Sequence, residues 1–230
     1  MKKFSMAAAV TSVALLVPGL AAAESFNYAS VKGGWTQVRD SHFDVESGDR
    51  IGNNYDSGYN FALAVGRQYP QSGNFRVRSE LELGYQQADV DRHVVREFTT
   101  SGNITSSETS RAPDPEGEFS MFYGFISAYG ERDLNLIDNA SFIFGAGGGL
   151  AQVTFDEYGA GGAVLMDDDA VSYGFHLTTG VSYHLNEQVS LEATYRYISI
   201  EDVSLEAEDG TSTRQRIESH NLMAGVRVAF

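Results

Sequence analysis

The chain contains no cysteine. That excludes a disulfide framework and any thiolate chemistry. Basic side chains are scarce, with 16 Lys and Arg against 31 Asp and Glu. A chain this acidic repels phosphates, so nucleic acid is not an expected partner. Long apolar runs are missing too. Beyond the first 23 residues none approaches the ~18 that mark a membrane-crossing helix, which excludes helical spans. Proline occurs four times, at positions 18, 70, 113 and 115, all outside the strands predicted below. A strand loses a ladder donor wherever proline sits, so none of those strands is interrupted.

The N-terminus has the one apolar run of note. Lys2 and Lys3 precede an apolar stretch over residues 6–17, and Ala21, Ala22 and Ala23 come just before Glu24. A charged start, a short apolar segment and a small-residue cleavage site predict a secretory signal over residues 1–23. The alternative is an amphipathic or membrane-anchoring helix. The signal would remove two basic residues and no acids, leaving 14 basic against 31 acidic side chains and a net charge of −17 on residues 24–230. Those residues are expected to form one domain with no linker and no second module.

What the chain does have is aromatic residues, glycine and alternation. It carries 14 Phe, 12 Tyr and 24 Gly, as aromatic girdles and glycine-rich strands would require. Period-2 patterns recur over about 10 residues, the length a tilted strand needs to cross a bilayer. Tyr59, Phe61, Leu63 and Val65 alternate with Asn60, Ala62, Ala64 and Gly66. Phe75, Val77, Leu81, Leu83 and Tyr85 oppose Arg76, Arg78, Glu80, Glu82 and Gln86, with Ser79 breaking the apolar row. Val171, Tyr173, Phe175, Leu177, Val181 and Tyr183 oppose a row containing Ser172, His176 and Thr178. Val189, Leu191, Ala193, Tyr195 and Tyr197 oppose Ser190, Glu192, Thr194 and Arg196. The final strand puts Leu222, Ala224, Val226, Val228 and Phe230 on one face, with Asn221 and Arg227 on the other.

Three further segments complete the set. Residues 28–38 alternate weakly, with Lys32 inward and Trp35 outward. Residues 119–129 are apolar on both faces. Residues 141–155 put Phe142, Phe144 and Leu150 outward and Gly145, Gly147 and Gly149 inward. Glycines there leave room for long side chains from across a narrow lumen. Connections alternate between long (39–57, 89–117, 156–170, 202–216) and short (70–74, 131–139, 185–188). Nothing follows Phe230 to cover the last strand, so its expected partner is the first. The predicted fold is all-β: an eight-stranded antiparallel transmembrane β-barrel of up-and-down topology. Backbone amides in lipid must pair, and only closure leaves no edge. A secreted β-sandwich is the soluble alternative, but it would bury the apolar rows and expose the Arg and Glu rows.

Residues 189–197 (VSLEATYRY) and the block from Ile217 to Phe230 resemble the last two strands of the opacity-type porin-like proteins, OmpA- and OmpX-like eight-stranded barrels. FIFGAGGG at 142–149 resembles their glycine-rich fifth strand, and residues 75–85 their third. The resemblance implies the outer membrane of a Gram-negative bacterium, with outer-membrane lipid and lipopolysaccharide as surroundings. It also implies insertion by the outer-membrane assembly machinery, for which Phe230 is the C-terminal signal. Family roles are structural protein, adhesin or surface antigen, with host or matrix proteins as loop partners. No cofactor is implied.

Candidate sites follow from the inward rows. Lys32, Arg76, Arg78, Arg196 and Arg227 oppose Glu80, Glu82 and Glu192. They form either a conduction path or a salt-bridged plug. An eight-stranded interior is just filled by side chains, which favours the plug. Of the histidines, His42 and His93 are expected in loops, and His176, His184 and His220 in strands. A lipid A-modifying enzyme would need a set such as Ser219, His220 and Glu218. Strand neighbours face opposite sides, which works against it. Asp167, Asp168 and Asp169, near Gly159, Gly161 and Gly162, form an acidic tip that could contact divalent cations, without the spacing of an EF-hand loop. Residues 89–117 could extend a hairpin above the membrane and bind partners through its edges. The expected function is therefore non-enzymatic: envelope integrity and surface interaction. A narrow passive pore is the alternative, and a lipid A-modifying enzyme the third.

Overall fold

Alternating side chains build strands, and strands dominate the chain. The computed structural model describes residues 25–39, 41–44, 50–55, 57–101, 104–111, 115–160, 163–206 and 212–230. The predicted signal over residues 1–23 lies outside them. The strands are β1 (Phe26–Val38), β2 (Ser41–Asp44), β3 (Arg50–Tyr55), β4 (Ser57–Gln68), β5 (Phe75–Ser101) and β6 (Ile104–Arg111). They continue with β7 (Pro115–Asp133), β8 (Ala140–Ala160), β9 (Ala163–His184), β10 (Val189–Glu206) and β11 (Ser212–Ala229).

Eight of these strands form a wall in the order β1, β4, β5, β7, β8, β9, β10, β11, each antiparallel to the next. The wall closes where β1 meets β11, with Val31 opposite Val226 and Trp35 opposite Leu222. The Phe230 amide donates to the Asn27 carbonyl at 2.9 Å and ends this seam. The expected eight-stranded barrel is present, with the first and last strands as partners.

The faces divide as the alternation requires. Leu63, Val65, Leu177 and Leu222 are each more than half exposed on the outer wall, while Arg78, Arg196, Glu80 and Glu82 are buried inside it. A soluble fold would reverse this arrangement. Outward aromatic residues mark two levels. Near the long-hairpin end, Trp35 lies opposite Tyr59 on one neighbouring strand, and Tyr195 shares Leu222 as a register partner on the other side. Near the short-turn end, Phe75 stacks on Phe144 with centroids 6.1 Å apart, and Phe142 is 6.2 Å from Phe144.

The connections differ from expectation. Much of what reads as long loop is strand continued beyond the barrel. Above Asp89, β5 leaves its barrel partners and pairs with β3 on one edge and β6 on the other. Strand β2 pairs with β3, giving a small sheet in the order β2, β3, β5, β6. His42 and His93 therefore lie in strands β2 and β5, not in loops. The short connection predicted at 131–139 begins later, because Glu131, Arg132 and Asp133 continue β7. Polar residues do not end a strand when the ladder still offers partners, and here Phe75 and Arg76 of β5 and the Asn74 carbonyl supply them.

Candidate functional site in the barrel lumen

The lumen is filled in layers, and each layer follows from strand parity. Nearest the short-turn end lies a first set of ion pairs. The Arg78 guanidinium meets Glu131 at 2.8 Å and also bonds Glu192. Arg227 donates to both Glu131 oxygens, at 2.8 and 3.3 Å, and reaches Glu192 at 3.3 Å. Arg76 lies 3.6 Å from Glu131, pairs with Asp133 and donates to Ser141 at 2.6 Å.

A second set sits deeper. The Lys32 ammonium donates to Glu80 at 2.7 Å and lies 3.5 Å from Glu82. Arg196 grips Glu82 with two nitrogens, donates from Nε to Thr178 at 3.1 Å and from Nη2 to the Tyr129 hydroxyl at 3.0 Å. Tyr28 donates to Glu80 at 3.1 Å. Its ring faces the guanidinium carbons of Arg78 and Arg227 at 5.7 and 5.4 Å. Five cations (Lys32, Arg76, Arg78, Arg196, Arg227) thus meet five carboxylates (Glu80, Glu82, Glu131, Asp133, Glu192). Charges buried this deeply persist only when paired and hydrogen-bonded, and these are.

All eight residues predicted for this network lie in the lumen, and Glu131 and Asp133 are the two members the prediction omitted. A signal for Glu131 was present, since Tyr123, Phe125, Ser127 and Tyr129 set an inward parity that it continues. Above the ion pairs lies a neutral polar layer. His176 Nε2 and the Ser127 hydroxyl are 2.8 Å apart, and His176 Nδ1 is 3.0 Å from the Thr178 hydroxyl. Asn60 donates to Asn221 at 2.9 Å, and Ser219 donates to Gln86 at 3.1 Å. The inward glycines make room here. A Cβ on Gly147 would lie 2.3 Å from the Ser127 hydroxyl and 2.5 Å from His176. The space therefore serves side chains of the adjacent strands, not of the opposite wall.

The top layer is apolar. Val38, Phe119, Met121, Tyr123, Phe125, Ala151, Val153, Phe155, Ile198, Ile200 and Ile217 form one cluster, all buried inside the long-hairpin end. This explains why residues 119–129 are apolar on both faces: one face meets the surroundings and the other fills the lumen. At the opposite end the lumen opens into a vestibule of about 670 Å³ lined by Gln68, Arg76, His184, Ser190 and Arg227. The first ion pairs form its floor.

The other predicted residues are dispersed. Ser219 is buried, whereas His220 lies on the outer wall, 2.6 Å from the Tyr195 hydroxyl, and Glu218 accepts from Tyr197. Parity keeps them apart, as expected. Asp167, Asp168 and Asp169 occupy consecutive positions of β9, so they alternate between its faces. Asp169 accepts a 3.2 Å hydrogen bond from Gln152, while the side chains of Asp167 and Asp168 lie outside the described residues. Among the described residues no group of three His, Asp or Glu side chains could hold a metal ion. Phe230 is 73% exposed on the outer wall.

A closed antiparallel wall, apolar outside and ion-paired inside, defines a membrane-spanning β-barrel. The chain belongs to the family of the outer membrane protein beta-barrel domain, whose sequence model matches residues 6–230. It is an outer-membrane protein of the Gram-negative type. An uncharacterised protein of Brucella abortus (strain 2308) is 26% identical over 193 residues, which cover 76% of this chain and 65% of that protein. The chain thus spans just under two thirds of the length of the curated relatives it matches. Among solved structures, Neisserial surface protein A aligns over 90% of this chain and 100% of its own, at 21% identity and a TM-score of 0.50. Ail, the attachment invasion locus protein of Yersinia pestis, aligns over 89% and 99%, at 13% identity and a TM-score of 0.41.

Proposed function

We propose that this protein is a closed, non-enzymatic barrel that strengthens the outer membrane and presents its extended hairpins for surface interaction. The observation carrying the first half is the filled lumen. Between the vestibule and the long-hairpin end, any solute would have to part a balanced ion-pair network and then an apolar cluster. Each barrier is unfavourable for an ion on its own: one requires breaking buried charge pairs, the other desolvation. The ion pairs therefore serve as a structural plug, not a conduction path.

The second half rests on the sheet of β2, β3, β5 and β6. The short turns lie at the periplasmic end and the long hairpins face out, the usual barrel asymmetry, so this sheet stands above the membrane. Asp167, Asp168 and Asp169 belong to the same outer region and fit divalent bridges to lipopolysaccharide. A non-enzymatic role accords with the separation of Ser219 from His220. Of the serine–histidine contacts, Ser127 with His176 is buried against Phe125 and Tyr129, whereas His184 contacts Ser141 at 3.1 Å and Ser190 at 2.9 Å beside the vestibule.

The test is planar-bilayer conductance of the refolded protein. We expect no stable single-channel steps at physiological salt. Large, long-lived currents would overturn the closed-barrel reading in favour of a pore.

A further inference from the structure

We propose that the vestibule at the short-turn end of the barrel binds the free carboxylate of a short cell-wall peptide. The inference rests on the reading that the short turns lie in the periplasm, and it gives the envelope-strengthening role a partner on that side.

An arc of polar side chains carries the argument. Gln68 of β4 accepts from Arg227 at 3.4 Å. Arg227 of β11 lies directly opposite Ser190 of β10. The Ser190 hydroxyl is 2.9 Å from His184 Nδ1, and His184 Nε2 is 3.1 Å from Arg76 of β5. These five residues follow one another around the vestibule wall. Gln68, Ser190 and Arg227 are buried, so packing holds them in place.

The arc offers donors that the ion pairs leave over. Arg76 spends Nη2 on Asp133, Ser141 and His184. Its Nη1 has, among the described residues, one long contact, 3.5 Å to Gln71. Gln68 gives its carboxamide oxygen to Arg227, which leaves both amide protons for the space that it lines. The arginines are bonded to Glu131, Asp133 and Glu192, none of which lines the vestibule. Each guanidinium therefore stands on the vestibule side of its carboxylates, and the nearer charge dominates the field there. Among the described lining residues the one carboxylate is Glu187, on the turn between β9 and β10.

Size and rim select a peptide end. A space of about 670 Å³ suits a small ligand and excludes a folded domain. Guanidinium donors match the planar geometry of a carboxylate. At the rim, Gln71, Asn139, Asn186 and Gln188 bring amide groups, which both donate to and accept from a peptide backbone. Asn186 accepts from the Gln188 and Val189 amides at 2.9 and 2.8 Å, so its turn is set before a ligand arrives. The filled lumen beneath makes this a docking site with no way through. Stem peptides of the cell wall are short, end in a free carboxylate and are fixed to a lattice beneath the outer membrane. Many barrels holding one lattice gain strength by multivalency, even where each contact is weak.

The test uses the refolded full-length barrel, with folding verified by its heat-dependent gel mobility. The probes are a synthetic stem pentapeptide with a free C-terminal carboxylate and the same peptide as its C-terminal amide. We expect the parent to bind the free acid about tenfold more tightly than the amide, as a charged hydrogen bond implies. Arg76→Gln should lose that preference. If Arg76→Gln does not fold, Gln68→Leu with Ser190→Ala takes its place on the same arc. Equal binding of acid and amide by the parent overturns the proposal, as does an undiminished preference in the variant. Purified cell-wall sacculi form the second arm. The parent should co-sediment with sacculi stripped of protein by protease, and the free stem peptide should release it. Co-sedimentation that requires protein still attached to the sacculi overturns the proposal in favour of a protein carboxylate. Orientation is tested separately, by placing a thiol in a chain that has no cysteine. Glu187→Cys should react with a membrane-impermeant maleimide only after the outer membrane is opened. Labelling in intact cells would overturn the periplasmic reading, whereas the comparison of acid with amide tests the site itself.

Discussion

Glu82 shows what a single buried carboxylate does in this lumen. It accepts from two nitrogens of Arg196 and lies 3.5 Å from Lys32, with all three side chains buried. Removing it leaves a fully buried guanidinium without its main partner. Glu82→Leu should therefore destabilise the barrel by about 3–5 kcal/mol. Replacing both partners removes the orphaned charge, so Glu82→Leu with Arg196→Met should recover most of that loss, Lys32 keeping Glu80. Urea unfolding of both variants in lipid vesicles checks this. If the double variant is as unstable as the single one, the pairing does not explain the cost. Parity alone made Glu82, Arg196, Lys32 and Arg227 legible in the sequence, because two-fold alternation needs no tertiary information. Glu131 was overlooked despite its inward parity, since it sits in a charged stretch that reads as a turn. Pairing with β5 on one side and β8 on the other extends β7 through it. The partner of each cation was equally hidden, because parity gives a face but not a height along the barrel.

At the scale of elements, the strands outgrow the membrane. β5 runs from Phe75 to Ser101, but its barrel pairing with β7 ends at Asp89. Beyond that point its partners are β3 and β6, neither of which joins the wall. The upper hairpin should then be separable from the barrel. Arg96 and Thr109 are register partners, so residues 97–108 can be replaced by Asn-Gly, whose type I′ turn suits a two-residue hairpin. Barrel stability should change by less than about 0.5 kcal/mol, as expected for surface changes. Attachment of cells displaying the shortened protein to host matrix should fall. Unchanged attachment would count against surface interaction through this hairpin. The sequence pointed to an extended hairpin within residues 89–117, and β5 pairs with β6 there. Residues 104–111 are rich in Ser and Thr and show little apolar alternation. They become a strand because β5 offers an open edge, a tertiary cause invisible in local composition. The small sheet's β2 and β3 went unread for the same reason.

For the whole molecule, the decisive feature is that two chemically different layers, one ion-paired and one apolar, lie in series along one axis. Solute flow through two barriers is limited by whichever remains closed. Phe119→Ala with Phe125→Ala opens the apolar layer and leaves the ion pairs intact. Arg78→Ser with Glu131→Ser thins the ion pairs and leaves the apolar layer intact, although Arg227 and Arg76 lose a partner. Each double variant should stay non-conducting in planar bilayers, despite the lower stability that core cavities and broken pairs bring. Combining all four substitutions should produce small, stable channels, with folding verified by heat-dependent gel mobility. Conduction by either double variant alone would show that one seal carries the whole barrier. A non-conducting quadruple variant that still folds would place the block elsewhere, in the polar layer of Asn60, Asn221, His176 and Ser127. The two layers also divide the mechanical work. The apolar cluster packs without directional demands, whereas the ion pairs hold β1, β5, β7, β10 and β11 at one relative height.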